Sequence, residues 1–184
     1  MPAHLYPLLE TARLRMAATD VHHAPFILEL LNTPKWLQYI GDRGVYDVAA
    51  AEAYIRERMR PQYDRLGFAN YTLARQSDGE LIGCCGLYER QGLEIVDLGF
   101  ALLPQYEGQG YAREAAARLL ELAFGPLQMP QVAAITSEGN EASQGLLKRL
   151  GFVFDRIRFL PNDPEPVRYY LVSPAQFRQA ATAG

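Results

Sequence analysis

The run Leu103-Pro104-Gln105-Tyr106-Glu107-Gly108-Gln109-Gly110-Tyr111-Ala112-Arg113-Glu114-Ala115 constrains the fold of this chain more than any other segment. An apolar, strand-like stretch from Ile95 to Leu103 stops at Pro104. Two closely spaced glycines follow, and an alanine-rich helical pattern begins at once. A strand, a glycine turn and a helix N-terminus in succession leave backbone N–H groups without intrahelical partners, with the positive end of a helix dipole behind them. Such a place suits phosphate. The chain is therefore expected to build a sheet-to-helix turn that holds a phosphorylated ligand.

Composition narrows the class of protein. At 184 residues the chain is expected to form one domain, and its 49% hydrophobic content is ample for a core. A net charge of −3 gives no electrostatic footprint for nucleic acid. No apolar run of about 18 residues marks a membrane span. The start Met1-Pro2-Ala3-His4 lacks a basic segment followed by an apolar one, so no secretory signal is read and a cytoplasmic protein is expected. Adjacent Cys84 and Cys85 lie in a strand pattern, where their side chains point to opposite faces. A disulfide between them needs unusual geometry, no further metal ligands lie near, and packed thiols are expected. His4, His22 and His23 cluster near the N-terminus, far in sequence from the glycine turn, and are read as surface or packing residues.

Periodicity and caps set the element order. Residues 9–16 read as a first strand. Thr19 or Asp20 caps a helix carrying Phe26, Ile27, Leu30 and Leu31, and Thr33-Pro34 opens a short helical piece to Ile40. Asp47 caps a longer helix over 48–66. Strands at 68–76, 81–88 and 93–103, joined by tight turns, form an antiparallel meander. A helix over 108–124, a strand over 131–136, a helix over 140–150 ended by Gly151, and strands at 152–160 and 167–172 complete the pattern. This order, β–α–α–α–βββ–α–β–α–ββ, predicts an α/β (α+β) chain with a mixed, mostly antiparallel sheet of seven strands and helices on both faces.

Two familiar phosphate motifs are absent. A Walker loop needs a Lys-Ser or Lys-Thr pair after its last glycine, and none follows Gly110. A dinucleotide fingerprint needs a third glycine where Arg113 stands, in a βαβ unit near the N-terminus. Read as Q-x-x-G-x-G, Gln105 to Gly110 resembles the acetyl-CoA pyrophosphate loop of the GNAT acetyltransferases. The segment from Asn140 through Ser143, Leu146 and Arg149 to Gly151-Phe152 resembles that family's N-x-x-[AS]-x-x-L-x-x-K-x-G-F helix, with Arg149 in place of lysine. Leu9-Glu10-Thr11-Ala12-Arg13-Leu14 is similar to the L-x-T-x-R-L opening of the RimJ/RimL-like subgroup, and the loop Ile40 to Val45 is also similar to one in that subgroup. The resemblance implies one acetyltransferase domain over 8–173 with a C-terminal tail over 174–184.

The resemblance also implies an activity and a site. The activity is N-acetyl transfer from acetyl-CoA to a primary amine, either a protein N-terminus or a small molecule, with no metal. Leu102 and Leu103 would pair with pantetheine through their backbone. N–H groups from Gln105 through Ala112, including those of Glu107, Gly108, Gln109, Gly110 and Tyr111, would cradle the pyrophosphate. The Glu107 side chain would then point to solvent. Asn140 would bond pantetheine or an ordered water, besides capping its helix. An amine that attacks must be neutral, so a carboxylate is expected to take its proton. Asp97, two residues before Gly99, is the first choice, and Glu94, on the other face of the same strand, is the second. Asp97 also suits a purely structural pairing with a basic group. Many family members carry a proton-donating tyrosine where this chain has Leu147, so Ser143 is expected near the leaving sulfur, with Tyr106, Tyr169 and Tyr170 as substitutes. Trp36, Tyr39, Asp42 and Arg43 are the candidate acceptor-binding residues, with Arg43 suited to a carboxylate. Two alternatives stay open: a non-catalytic acyl-CoA sensor of the same fold, and an enzyme for longer acyl groups. Oligomeric state is not encoded in any pattern, although homodimers are common among such proteins.

Overall fold

The computed structural model describes residues 5–183, so His4 and the start of the chain read for a signal lie outside the described residues. The chain divides into two compact units, Met1–Gly86 with Phe100–Ala115, and Leu87–Gly99 with Ala116–Gly184. The first unit opens with strands β1 (Leu8–Glu10) and β2 (Leu14–Ala18), followed by helices α1 (Ala24–Leu31), α2 (Pro34–Tyr39), α3 (Val48–Tyr54) and α4 (Arg60–Leu66). Strands β3 (Asn70–Arg75) and β4 (Leu81–Tyr88) come next, then the last residues of β5 (Asp97–Leu102) and the start of α5 (Tyr111–Phe124). The pairs β1/β2, β2/β3 and β3/β4 are antiparallel. The second unit holds β6 (Val132–Ser137), α6 (Glu141–Arg149), β7 (Val153–Phe159), β8 (Pro166–Val172) and α7 (Pro174–Ala183). There β6 pairs β5 in parallel at Asp97 and Ala133, while β8 lies antiparallel between β6 and β7. Eight strands thus make a mixed, mostly antiparallel sheet.

The extra strand arises because residues 9–16 are not one strand but a hairpin. In a single strand, residues of one parity share a face. Leu9, Leu14 and Met16 are all buried, yet Leu9 has the opposite parity. The chain resolves this by turning at 11–13, which sets Leu9 opposite Met16. The Thr11 hydroxyl accepts the Leu14 N–H at 3.0 Å, and the Thr11 N–H donates to the Leu14 carbonyl at 3.0 Å.

Other elements follow their local chemistry. Asp20 caps a 3-10 turn, Val21–His23, by accepting the Val21 N–H, and the Asp20 N–H donates to His23 Nδ1 at 3.0 Å. His23 is buried in this role, and desolvation lowers its pKa. Thr33 does not cap α2 with its side chain; its hydroxyl donates back to the Leu30 carbonyl at 2.9 Å. The helix expected over 48–66 starts at Asp47, which accepts the Ala50 N–H at 2.7 Å, and widens into a π turn at Ile55–Met59 before α4. Pro61 explains the widening, because it has no N–H for the α ladder and its ring crowds the preceding turn.

The core of the first unit gathers Phe26, Ile27, Leu30, Leu31, Val45, Ile55 and Leu103. Cys84 belongs to it and Cys85 is fully buried; burial pushes the Cys84 thiol up to about 11 and the Cys85 thiol further in the same direction. The tail at 174–184 carries α7, whose Phe177 ring lies 5.8 Å from that of Phe124. Beside the glycine turn, β4 and β5 approach so closely that a Cβ on Gly83 would sit 2.4 Å from the Ala101 carbonyl oxygen. That neighbour is backbone and cannot swing aside. Gly83→Ala is therefore expected to destabilise the protein by about 1–3 kcal/mol, read as a lower urea midpoint. An unchanged midpoint would contradict this close approach.

Candidate functional site

The glycine turn lies wholly in the first unit. Pro104–Tyr106 forms a 3-10 turn, in which the Tyr106 N–H donates to the Leu103 carbonyl at 3.0 Å and the Glu107 N–H to the Pro104 carbonyl at 3.3 Å. Those two donors, expected among the phosphate-holding groups, are thus occupied by local turn closure. Among the described residues the N–H groups of Gly108, Gln109 and Gly110 make no backbone hydrogen bond, and the first rung of the α5 ladder runs from the Glu114 N–H to the Gly110 carbonyl at 3.1 Å. The N–H groups of Tyr111, Ala112 and Arg113 precede that ladder, as helix geometry requires. Of the turn N–H groups expected to face phosphate, those of Tyr106 and Glu107 are therefore taken up by the turn itself, while those of 108–113 find no backbone acceptor among the described residues. Gly108 and Gly110 have φ of +71° and +84°, a region that costs other residues about 1–2 kcal/mol. A Cβ on Gly108 would meet no atom within 4 Å, so its backbone face is open.

Two carboxylates in this turn would repel an anion, and each is paired. Glu107 forms an ion pair with Lys35 of α2, rather than pointing free into solvent. Glu114 accepts from the Thr11 hydroxyl at 2.5 Å, the Arg13 N–H at 2.9 Å and Arg13 Nε at 2.6 Å. Desolvation pushes its carboxyl up, but the bonds from Thr11 and Arg13 outweigh that and hold it below the usual range. Arg13 Nη1 also donates to the Gln109 carbonyl at 3.0 Å, and Gln109 Nε2 donates to the Gln105 carbonyl at 2.9 Å, closing the turn on itself. The Leu103 N–H is occupied by the Ile82 carbonyl at 2.9 Å. Alternation along a strand then directs the backbone groups of Leu102 away from β4.

The candidate acceptor residues also lie in the first unit. Trp36 packs half-buried against the core, and its Nε1 is a buried donor without a partner among the described residues. Tyr39 is half-buried, while Asp42 and Arg43 are exposed. Asp42 shapes the loop: it accepts the Gly44 N–H at 2.8 Å and the Tyr46 hydroxyl. Its carboxyl is lowered by the Tyr46 and Gly44 hydrogen bonds. Arg43 pairs with no carboxylate among the described residues.

The second unit holds the candidate acid–base groups. Asp97 is 1% exposed and receives Arg90 Nε and Nη2 at 3.1–3.2 Å. Burial raises its pKa, opposed by the Arg90 charge. Arg90 also lines a cavity of about 350 Å³ with Leu93 and Glu94. Glu94 is not on a strand face as expected, because β5 begins only at Asp97. It pairs with Arg158 through two bonds of 2.8 and 3.0 Å, which hold its carboxyl down to about 2. Asn140 caps α6 by accepting the Ser143 N–H at 3.2 Å. Leu147 is buried. The substitute tyrosines are engaged: Tyr170 accepts Arg168 Nε at 3.1 Å, Arg158 lies over the Tyr169 ring, and Arg75 over the Tyr106 ring. Thr136 and Ser137, which no sequence motif marked, carry buried hydroxyls at the end of β6 that have no partner among the described residues. The available signal was two hydroxyl residues in succession closing an apolar strand, just ahead of Asn140.

Comparison with known proteins places the chain in a family and a fold. Residues 13–153 match the model of the acetyltransferase (GNAT) domain. An uncharacterized N-acetyltransferase of Bacillus subtilis (strain 168), YoaA, is 24% identical over 149 residues, covering 80% of this chain and 84% of that protein. The crystal structure of an acetyltransferase from Agrobacterium tumefaciens str. C58 aligns with a TM-score of 0.76 at 26% identity, covering 94% of this chain and 99% of that one. RimL, a ribosomal L7/L12 alpha-N-protein acetyltransferase solved in complex with coenzyme A, shares the fold with a TM-score of 0.76 at 19% identity, over 90% of this chain and 97% of its own.

The open face of Gly108 yields a direct test. Gly108→Ala meets no protein atom, so it should cost only the positive-φ penalty of about 1–2 kcal/mol. Its methyl group would nevertheless cover part of the open backbone face on which the expected phosphate would sit. Coenzyme A binding by titration calorimetry should weaken about tenfold or more. Wild-type affinity in this variant would remove the turn from the donor site.

Proposed function

The chain belongs to the GNAT acetyltransferase family, and on that premise we propose how its residues divide the work. It is an acyl-CoA-dependent N-acetyltransferase that moves the acetyl group of acetyl-CoA to a primary amine. The amine nitrogen attacks the thioester carbonyl carbon, the C–S bond breaks, and the amine loses a proton as the thiolate leaves. In our reading the N–H groups of 108–113 hold the CoA pyrophosphate. The observation that carries this is their lack of acceptors beside two carboxylates already neutralised by Lys35 and Arg13. Asn140, Ser143 and the unpartnered hydroxyls of Thr136 and Ser137 are assigned to the pantetheine arm and the leaving sulfur.

Asp97 is assigned the proton-accepting role ahead of Glu94. A base works best with a pKa near the working pH. Burial moves Asp97 in that direction, whereas Arg158 holds Glu94 at about 2, where it has little affinity for an ammonium proton. Asp97 accepts only in its charged form, so activity falls as pH drops through its pKa, which lies above the ordinary 3.8. Asp97→Asn is expected to lower kcat about 100-fold and to abolish the acidic limb of the kcat/KM profile. A retained limb would reduce Asp97 to an anchor for Arg90.

We assign the acceptor to a polypeptide N-terminus. Leu37, Ile40, Tyr46 and Val48 are all at least 40% exposed around the Asp42-Arg43 loop. That surface suits a chain laid across it better than a small amine, with the unpaired Arg43 guanidinium suited to an acidic side chain. Reaction in the cytoplasm, with neither nucleic acid nor membrane as partner, is consistent with the net charge of −3. Thiol release from acetyl-CoA, measured with N-terminal peptides and with small amines, should give peptides a kcat/KM about tenfold higher or more. Higher kcat/KM for small amines would overturn the peptide assignment.

A further inference from the structure

We propose that Thr11, Arg13 and Glu114 form a positioning strut that aims the anion-holding N–H groups of 108–113. They would set affinity for the nucleotide end of acetyl-CoA without touching it. The inference rests on reading that turn as the pyrophosphate site.

Glu114 sits in the first turn of α5, where a side chain leans back toward the helix N-terminus. Both its oxygens are engaged: Oε1 accepts from the Thr11 hydroxyl and the Arg13 N–H, and Oε2 accepts from Arg13 Nε. The donors come from the β1–β2 turn, about a hundred positions earlier in the chain, so this is a tertiary contact rather than a local cap. Arg13 then continues past Glu114. Its Nη1 donates to the Gln109 carbonyl, and its guanidinium lies 4.4 Å from the centre of the Tyr111 ring. One guanidinium therefore grips the helix start and the tip of the turn together.

The grip on Gln109 has a directional consequence. The carbonyl of Gln109 and the N–H of Gly110 belong to one planar trans peptide and point in opposite directions. Drawing the carbonyl onto Arg13 aims the Gly110 N–H away from Arg13, toward the open side of the turn. Gly110 must be glycine for this arrangement, because its φ is +84° and a Cβ would lie 3.3 Å from Arg13 Nη2. Arg13 Nε and Nη1 are engaged by Glu114 and Gln109 and its guanidinium faces the Tyr111 ring, an arrangement that suits it to orienting the turn.

The test compares two donors in the full-length protein, acetyl-CoA and S-acetylpantetheine, which lacks the pyrophosphate and nucleotide. Glu114→Ala should raise KM for acetyl-CoA about tenfold with kcat unchanged, and leave kcat/KM for S-acetylpantetheine at the wild-type value. Thr11→Val, which keeps shape and loses the hydroxyl, should shift KM in the same direction, whereas Thr11→Ser should retain wild-type KM. If Glu114→Ala does not fold, the Thr11 pair decides. Equal losses with both donors, or no loss with either, would overturn the strut. A wild-type enzyme that does not distinguish the two donors would instead overturn the pyrophosphate reading on which the strut rests.

Discussion

The carboxylate of Glu114 is the contact on which the placement of the first unit's glycine turn depends. It joins the start of α5 to the hairpin turn at Thr11–Arg13, two segments that nothing local would bring together. A carboxylate in the first turn of a helix already favours the helix dipole. Here the same group also collects donors from a distant turn, so the helix start is held in position as well as stabilised. The two glycines supply backbone freedom, but freedom alone would leave the N–H groups pointing in many directions. Arg13 removes that freedom by taking the Gln109 carbonyl.

Charge pairing neutralises both carboxylates of the glycine turn. Glu107 and Glu114 would each oppose a phosphate, and each is matched by a cation brought in from elsewhere in the unit, Lys35 and Arg13. In the second unit, two carboxylates three positions apart are driven in opposite directions by their surroundings. Asp97 is buried, so desolvation raises its pKa despite Arg90. Glu94 stays in solvent and meets Arg158, so its carboxyl is lowered to about 2. The Glu94 contribution to stability is complete above the ordinary carboxylate range and is lost as pH falls toward that value. The same carboxyl chemistry thus yields one group whose affinity for a proton is raised and one whose affinity is lowered. Burial decides which is which.

Much of the architecture was legible because it is written in local patterns. Asp47 and Asn140 cap helices as their side chains allow, and Gly151 follows the end of α6 with a φ of +91°. Of the meander strands, β4 falls at its expected bounds, while β3 and β5 are shorter than expected, β5 by four residues at its start. Glu94 was misplaced onto a strand because its apolar neighbours extend the β pattern past the point where pairing stops. The hairpin at 9–16 was detectable in principle from the broken parity of Leu9 against Leu14 and Met16. Within the candidate site, the glycines and Asn140 were readable as backbone requirements. The partners of Glu107, Glu114, Asp97 and Glu94 were not, because a charge does not announce which distant charge it will meet.

The sequence by itself determined the glycine turn, most of the strands and helices in their order, and the family to which both point. Each of these rests on neighbours within a few residues: glycines that tolerate positive φ, capping side chains, apolar periodicity. Only the tertiary structure decided which N–H groups of the turn remain unbonded, which carboxylates are neutralised, and that Asp42 shapes its loop through Gly44 and Tyr46. Those outcomes depend on contacts such as Thr11 with Glu114, made between segments far apart along the chain, where position in space rather than position in sequence sets the energy.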